Sequence, residues 1–401
     1  MFDLNIRFLK LTGLWCILNK SGNSVKSLIH LLCFLLLAQI IYLPAELVKL
    51  LSFSENFEQT MEQLGFMLTH ILGTVKIISL YISRKKLSKI MDDLRRYSYI
   101  YDCDVHNNCH SLEEAFNRKA YRVCAFFFLM GSCAGLLKFL ITTIHLIYCK
   151  EDTTDKELCI TVKPFFIPIP VFLNTIPGRW ILGGFQCVCL TLYAWQIVAY
   201  DTLFATFLIY IDCSVHILRY FFETITERSM NKLQLRSCIT SNPELTRHMN
   251  MQMRTGTINL QNLIMTCVEI ADVFKYVILL QVLFALFILM TCLYVAASVP
   301  LFGASFTFQL EFYLTIVTQL SLYCWFGNEI TLSFRKIPDA MYNNNWIPGD
   351  KSFKGSMLLN TLRMNKPIHI MIGMVTPLNL NVLIYILRAS YSYFAVIKSK
   401  Y

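Results

Sequence analysis

Charge is what this chain has least of. Only 15% of its 401 residues are Asp, Glu, Lys or Arg, where soluble domains carry about 25%. That deficit excludes an ordinary water-facing surface over most of the chain. Hydrophobic residues make up 55%, above the roughly 45–50% of soluble domains, which moves the balance towards a membrane protein. No Gly-rich phosphate loop, Ser-His-Asp signature or paired-carboxylate motif is present, so the usual starting points for an enzyme or a nucleotide site are missing. No fixed-period repeat and no Gly/Ser- or Pro-rich linker divides the chain, and it reads as one all-helical domain, 1–401. A disulfide framework is absent too. The 15 cysteines are scattered, mostly within apolar runs, and read as small packing residues. Cys149 and Cys159 differ because both fall in an expected external loop where oxidation can occur. Their separation permits a bridge without requiring one.

What the chain does have is long apolar runs. A helix needs about 20 such residues to cross a bilayer, and runs of that kind occur at 28–51, 64–83, 123–149, 180–212, 273–298, 306–334 and 377–397. The first contains His30 and Glu46 and lacks the short core and small-residue cleavage site of a signal peptide. Between these seven spans, segments on one side carry 25 Lys and Arg, and those on the other carry 6. The positive-inside rule puts the N-terminus in the cytoplasm and the C-terminus outside, opposite to a G-protein-coupled receptor. No Asp-Arg-Tyr follows the third span, and the only Asn-Pro, Asn242-Pro243, lies in a loop. The net charge of +10 resides mainly in the cytoplasmic loops. It suits a lipid bilayer with anionic headgroups and carries no nucleic-acid signal.

The span at 180–212 alone measures about 50 Å as a helix, beyond a bilayer core of about 30 Å. Residues 215–225 continue its apolar pattern, and 249–272 is helical in periodicity. These segments predict helices projecting into a cytoplasmic anchor bundle. The external loop 150–179 carries Pro164, Pro168, Pro170 and Pro177 and predicts an irregular cap.

Charges within spans are costly and mark sites or structural pairs. They are Lys76, Lys138, Asp201, Glu311 and Arg388. By depth, Lys76 matches Asp201 in the inner half, and Lys138 matches Glu311 in the outer half. In the last span Tyr385, Ala389, Ser392, Val396 and Ser399 share one helical side. A lipid-facing surface has no use for Ser392 and Ser399, whereas a face lining water or packed on a neighbour does. Arg388 sits one position from this stripe, where it could brace a neighbouring helix. One soluble stretch, 102–110, holds Asp102, Cys103, Asp104, His106, Cys109 and His110. With no second ligand pair elsewhere it reads as a solvated loop, and no metal or cofactor is expected.

Several motifs carry a resemblance. Leu387-Arg388-Ala389-Ser390-Tyr391-Ser392-Tyr393-Phe394-Ala395-Val396 resembles the terminal helix of insect odorant receptors. Cys324-Trp325-Phe326-Gly327-Asn328-Glu329-Ile330 is similar to their Cys-x-x-Gly-Asn-Glu motif. Tyr342-Asn343-Asn344-Asn345-Trp346, Lys366-Pro367 and Ala199-Tyr200-Asp201-Thr202-Leu203-Phe204 match further family stretches. Met364-Asn365 stands where Ser-Gln is frequent. The Thr-Tyr…Gln-Phe ending of the sister gustatory receptors is absent, as is the co-receptor's long loop between spans four and five. The chain thus resembles an odour-tuning subunit.

The resemblance implies an odour-gated non-selective cation channel in the plasma membrane of a sensory neuron dendrite. It implies a tetramer formed with the co-receptor, its pore lined by the seventh helices and gated at Val396. It also implies a pocket for small volatile odorants in the outer half. The outer halves of spans two, three, four and six supply Phe66, Met67, His70, Ile71, Thr74, Gly135, Phe139, Thr142, Phe185, Cys189, Tyr193, Phe312, Tyr313 and Ile316. Apolar and aromatic walls with a few hydroxyls suit weakly polar volatiles. A metabotropic seven-helix chemoreceptor stays open on the residues alone. So does a membrane enzyme built on the 102–110 cluster.

Overall fold

Proline and small polar residues set where the long helices begin. The computed structural model describes residues 3–18, 36–52, 57–100, 108–148, 168, 175–235, 242–301 and 303–400. The helices that position the site are α1 (Asp3–Leu11), α2 (Leu43–Ser52), α3 (Phe57–Ile100), α4 (Asn108–Tyr148), α5 (Ile176–Glu223), α6 (Pro243–Ser298), α7 (Ala304–Arg335), α8 (Lys351–Met364) and α9 (Leu380–Lys400). At the start of α5 the Thr175 hydroxyl oxygen accepts from the Gly178 N–H at 3.3 Å, with Pro177 in the first turn. At α6 the Asn242 side chain accepts from the N–H groups of Glu244 and Leu245 at 3.0 and 3.3 Å, and Pro243 opens the helix. Both arrangements satisfy donors that a helix start leaves without partners.

Length then takes these helices past the bilayer. α3, α5 and α6 have 44, 48 and 56 residues, roughly 65–85 Å against a hydrocarbon core of about 30 Å. Among the described residues, α3, α4, α5, α6 and α9 are long and apolar enough to cross a membrane. α7 is long enough at 32 residues, but Gln309, Glu311 and Gln319 lower its apolarity. Of the expected first span, 28–35 lies outside the described residues. The remainder is a π-helical turn, Leu36–Tyr42, leading into α2.

α5 is the central helix. Every residue from 196 to 215 is buried, as a helix surrounded on all sides must be. α4 packs along α5, α3 along α6, and α9 against α6 and α7. Aromatic rings knit the centre, with Phe204 4.8 Å from Phe274 and 4.9 Å from Tyr323 between ring centroids. Away from this centre, Asn360 of α8 donates to Thr257 of α6 at 2.7 Å.

The last span differs from the sequence expectation. Pro377 does not begin a helix. It pairs with Met371 in a two-stranded hairpin, β1 (Met371–Ile372) and β2 (Thr376–Pro377). The turn places Gly373 at φ +60, a left-handed conformation that glycine adopts without steric cost. Its N–H donates to the Lys275 carbonyl at 3.0 Å, tying the hairpin to α6. Asn379 then accepts from the Val382 N–H at 3.2 Å, so α9 runs from Leu380 and extends to Lys400.

Candidate functional site

A buried ionic knot lies where α3, α5, α6 and α7 meet. Lys76 Nζ stands 2.6 Å from Asp201 Oδ1, with both side chains almost wholly buried. This is the pairing expected from their matched depth. Tyr323 donates to the same oxygen at 2.5 Å, and Gln319 Nε2 donates to Oδ2 at 2.5 Å. Gln281 Nε2 in turn donates to Gln319 Oε1 at 3.1 Å. A carboxylate taken out of water persists only when paired and hydrogen-bonded, and Asp201 has a cation and two neutral donors. Of Lys138 and Thr142 only the backbone is described, so the expected Lys138–Glu311 pair lies outside the described side chains. Glu311 Oε1 accepts instead from Thr315 at 2.9 Å.

Directly beside the knot is a cavity of about 120 Å³. One helical stripe from each of four helices lines it: Phe66, Thr69 and His70 from α3; Phe127, Met130, Gly131, Ala134 and Gly135 from α4; Leu190, Tyr193, Ala194, Ile197, Val198 and Asp201 from α5; and Phe308, Glu311, Phe312, Thr315, Ile316 and Gln319 from α7. These recur at three- and four-residue steps, the period of one helix face. Phe66 stacks on Phe308 and Phe312 at 5.4 and 4.5 Å, forming an aromatic wall. Gly131, Ala134, Gly135 and Ala194 keep the opposite wall thin, and a Cβ at Gly135 would collide with Thr191.

Six of the expected pocket residues come together here: Phe66, His70, Gly135, Tyr193, Phe312 and Ile316. Met67, Ile71, Thr74, Phe139, Phe185, Cys189 and Tyr313 do not line the cavity. Helical phase separates most of them. Thr74, one turn beyond His70, donates to Gln39 of the first span at 2.5 Å. Phe139 is exposed, Cys189 is buried, and Tyr313 and Phe185 pack at the edge of the core. Sequence reasoning missed Gln319 and Thr315, whose α7 stripe was legible as polar residues repeating through an apolar helix.

The cavity has a further polar corner at His70. His70 Nδ1 lies 2.5 Å from Glu46 Oε2 of α2, with both side chains buried. The Tyr193 hydroxyl donates to the His70 carbonyl.

α9 buries Val382, Ile386 and Ser390 and leaves the opposite side uncovered. Tyr385, Ser392, Val396 and Ser399 are exposed, as is Arg388, and Ala389 is half-buried. The Ser392 and Ser399 hydroxyls donate to the Arg388 and Val396 carbonyls at 3.0 and 2.8 Å. Cys149, Cys159 and residues 101–107 lie outside the described residues. His110 is exposed beside Glu114, at 3.4 Å. No group of three or more metal-ligating side chains occurs among the described residues.

A sequence profile of the 7tm Odorant receptor family matches residues 56–391. Odorant receptor 94a of Drosophila melanogaster is 23% identical over 349 residues, spanning 86% of this chain and 82% of that protein. Odorant receptor 10 of Aedes albopictus is 35% identical over 86 residues, 21% of this chain and 23% of the relative's length. In three dimensions the chain is similar to the insect olfactory receptor OR5 from Machilis hrabei. The TM-score is 0.75 at 13% identity, covering 98% of this chain and 96% of that one. The same receptor in complex with eugenol gives a TM-score of 0.74 at 13% identity, over 99% and 97% of the two chains. At that identity the likeness concerns the fold.

Proposed function

The chain belongs to the 7tm odorant receptor family, and on that premise we propose that it is an odour-tuning subunit of an odour-gated, non-selective cation channel. It assembles with the family's shared co-receptor as a tetramer in the plasma membrane of sensory dendrites. Its N-terminus is cytoplasmic and its C-terminus external. Small volatile odorants occupy the cavity between α3, α4, α5 and α7. The structurally similar OR5 was solved in complex with eugenol, a small organic molecule of the proposed class. The seventh helices line the pore with Tyr385, Ala389, Ser392, Val396 and Ser399, and Val396 forms the gate.

The observation that carries this reading is the uncovered side of α9. Tyr385 and Val396 are each 66% exposed, on the same face as two serines. Lipid alone does not select small polar residues at such positions, while close helix packing and a water-lined path do. A ring of such helices gives the stripe a use, and an apolar ring near its outer end closes a pore by dewetting.

Co-expression tests it. The chain with the co-receptor should give robust odour-evoked cation current that survives blockade of G-proteins, and the chain alone should give little. An obligatory second messenger would sink the channel reading in favour of a metabotropic one.

A further inference from the structure

Nearly every polar group on the cavity wall is already engaged within the protein. Thr69 donates to the Gly65 carbonyl at 3.0 Å, Tyr193 to the His70 carbonyl, and Thr315 to Glu311 at 2.9 Å. Asp201 and Gln319 are occupied by each other and by Lys76, Tyr323 and Gln281. His70 is different. Its Nδ1 is held at 2.5 Å by Glu46. Its ring is gripped edge-on by Tyr42 and Tyr193, with centroids at 5.4 and 4.5 Å. No described residue hydrogen-bonds its other nitrogen, Nε2, and the residue lines the cavity.

We propose that His70 is the specificity-determining contact of this cavity, held by Glu46 as a positioning residue, and that it selects odorants bearing a hydroxyl group. The inference rests on the odorant-receptor reading only in taking the cavity as the ligand site.

The chemistry follows from where the proton can sit between Glu46 and His70. If the carboxylate accepts from Nδ1–H of a neutral ring, Nε2 is a bare acceptor and needs a donor. If the ring is charged, or Glu46 carries the proton and Nδ1 accepts it, Nε2–H is a donor and needs an acceptor. A hydroxyl answers each case, because it donates and accepts. An ether oxygen answers only the second, and a hydrocarbon answers neither. The remaining wall is largely apolar and aromatic, so it grips the carbon skeleton without distinguishing an alcohol from its methyl ether. The other wall atom without a partner among the described residues is Glu311 Oε2, and discrimination is assigned to the imidazole nitrogen. Its direction is fixed by a carboxylate on α2, a helix that contributes nothing else to the cavity wall.

The test uses the purified full chain in detergent and measures thermal unfolding against matched probes. These are phenylethanol, its methyl ether and ethylbenzene, together with the alcohols from hexanol to decanol and their methyl ethers. The alcohols should stabilise at concentrations roughly five- to tenfold lower than the ethers, as expected for one buried hydrogen bond. His70→Phe should erase that difference while keeping the response to ethylbenzene. Glu46→Leu should narrow it, and Glu46→Gln, which can still bond Nδ1, should restore it. Should His70→Phe not fold, the contrast between the two Glu46 variants carries the test. Equal stabilisation by alcohol and ether, an alcohol preference that survives loss of the imidazole, or no stabilisation by any probe overturns the assignment. Alcohol-selective binding without odour-evoked current would count against the channel reading and leave His70 in place.

Discussion

At the scale of single residues, a charge inside an apolar run says more than its neighbours do, because burying it demands a partner. Lys76 and Asp201 were legible for that reason, since depth along the chain matched one with the other. Tyr323, Gln319 and Gln281 complete the knot and were not legible, because a neutral polar residue in a span does not name its partner. Glu46 and His70 left a fainter signal, because each shares its apolar run with other ionisable groups, among them His30 in the first and Lys76 in the second. Their meeting depends on how α2 is rotated against α3, which periodicity does not set. The knot makes a quantitative expectation. Lys76→Met leaves Asp201 charged, buried and short of its cation, a change that costs about 3–5 kcal/mol in comparable buried pairs. Replacing both, as in Lys76→Met with Asp201→Leu, removes the stranded charge and should recover part of that loss. Thermal unfolding of the three purified proteins measures it. A double variant less stable than Lys76→Met alone shows that the carboxylate has other partners strong enough to hold it.

At the scale of elements, seam and cap chemistry decide where helices stop and how they meet. Apolar runs placed the helices but not their edges. The last span was read from Pro377, whereas a hairpin holds 371–377 and Asn379 starts α9. The pocket residues were chosen by depth without the rotation of each helix, so neighbours such as Met67 and Tyr313 entered in place of Thr69 and Thr315. Gly327, within the Cys-x-x-Gly-Asn-Glu motif, explains itself in the structure. A Cβ there would stand 2.8 Å from the Leu378 side chain and 2.9 Å from its carbonyl. Gly327→Val should therefore push the start of α9 off α7. It should appear as faster hydrogen exchange across 376–386 with α5 unchanged, and unaltered exchange would mean that the seam yields freely. On α8, Asp350 caps the helix through the Phe353 N–H at 2.8 Å, and that bond holds its carboxyl below the usual range. A depressed folded value stabilises above the unfolded one, so the cap contributes fully at neutral pH. The contribution fades as the pH falls through the depressed value. Asp350→Ala should weaken α8 by about 1 kcal/mol at neutral pH, measurable by native-state exchange of 351–364, with the difference from the parent chain shrinking in acid.

At the scale of the whole molecule, the membrane character and helical architecture were the most legible features, because scarce charge and long apolar runs leave few alternatives. Among the described residues, the all-helical expectation needs only the short hairpin added. Orientation came from the uneven distribution of Lys and Arg between loops. It predicts that a tag after Tyr401 is labelled by antibody on intact cells and a tag before Met1 is not. Which face of α9 would line the proposed pore is a property of the assembly, which a single chain states only by leaving a side uncovered. On the proposed reading, gate and cavity divide the labour. Water is unstable between apolar side chains, so a polar group in the constriction lowers the barrier to wetting. Val396→Asn should raise resting leak or alter ion permeation while largely keeping the rank order of odours, because Val396 stands on α9, outside the cavity wall. Phe312→Ala removes a ring stacked 4.5 Å from Phe66 and should do the reverse. A lost contact of about 1.4 kcal/mol corresponds to a tenfold rise in effective concentration for odours that use that wall, with ion selectivity unchanged. Recordings of both variants with the co-receptor, across one odour panel, separate the two roles. If Val396→Asn reorders the odours and leaves permeation untouched, the stripe of Tyr385, Ser392, Val396 and Ser399 faces something other than the pore.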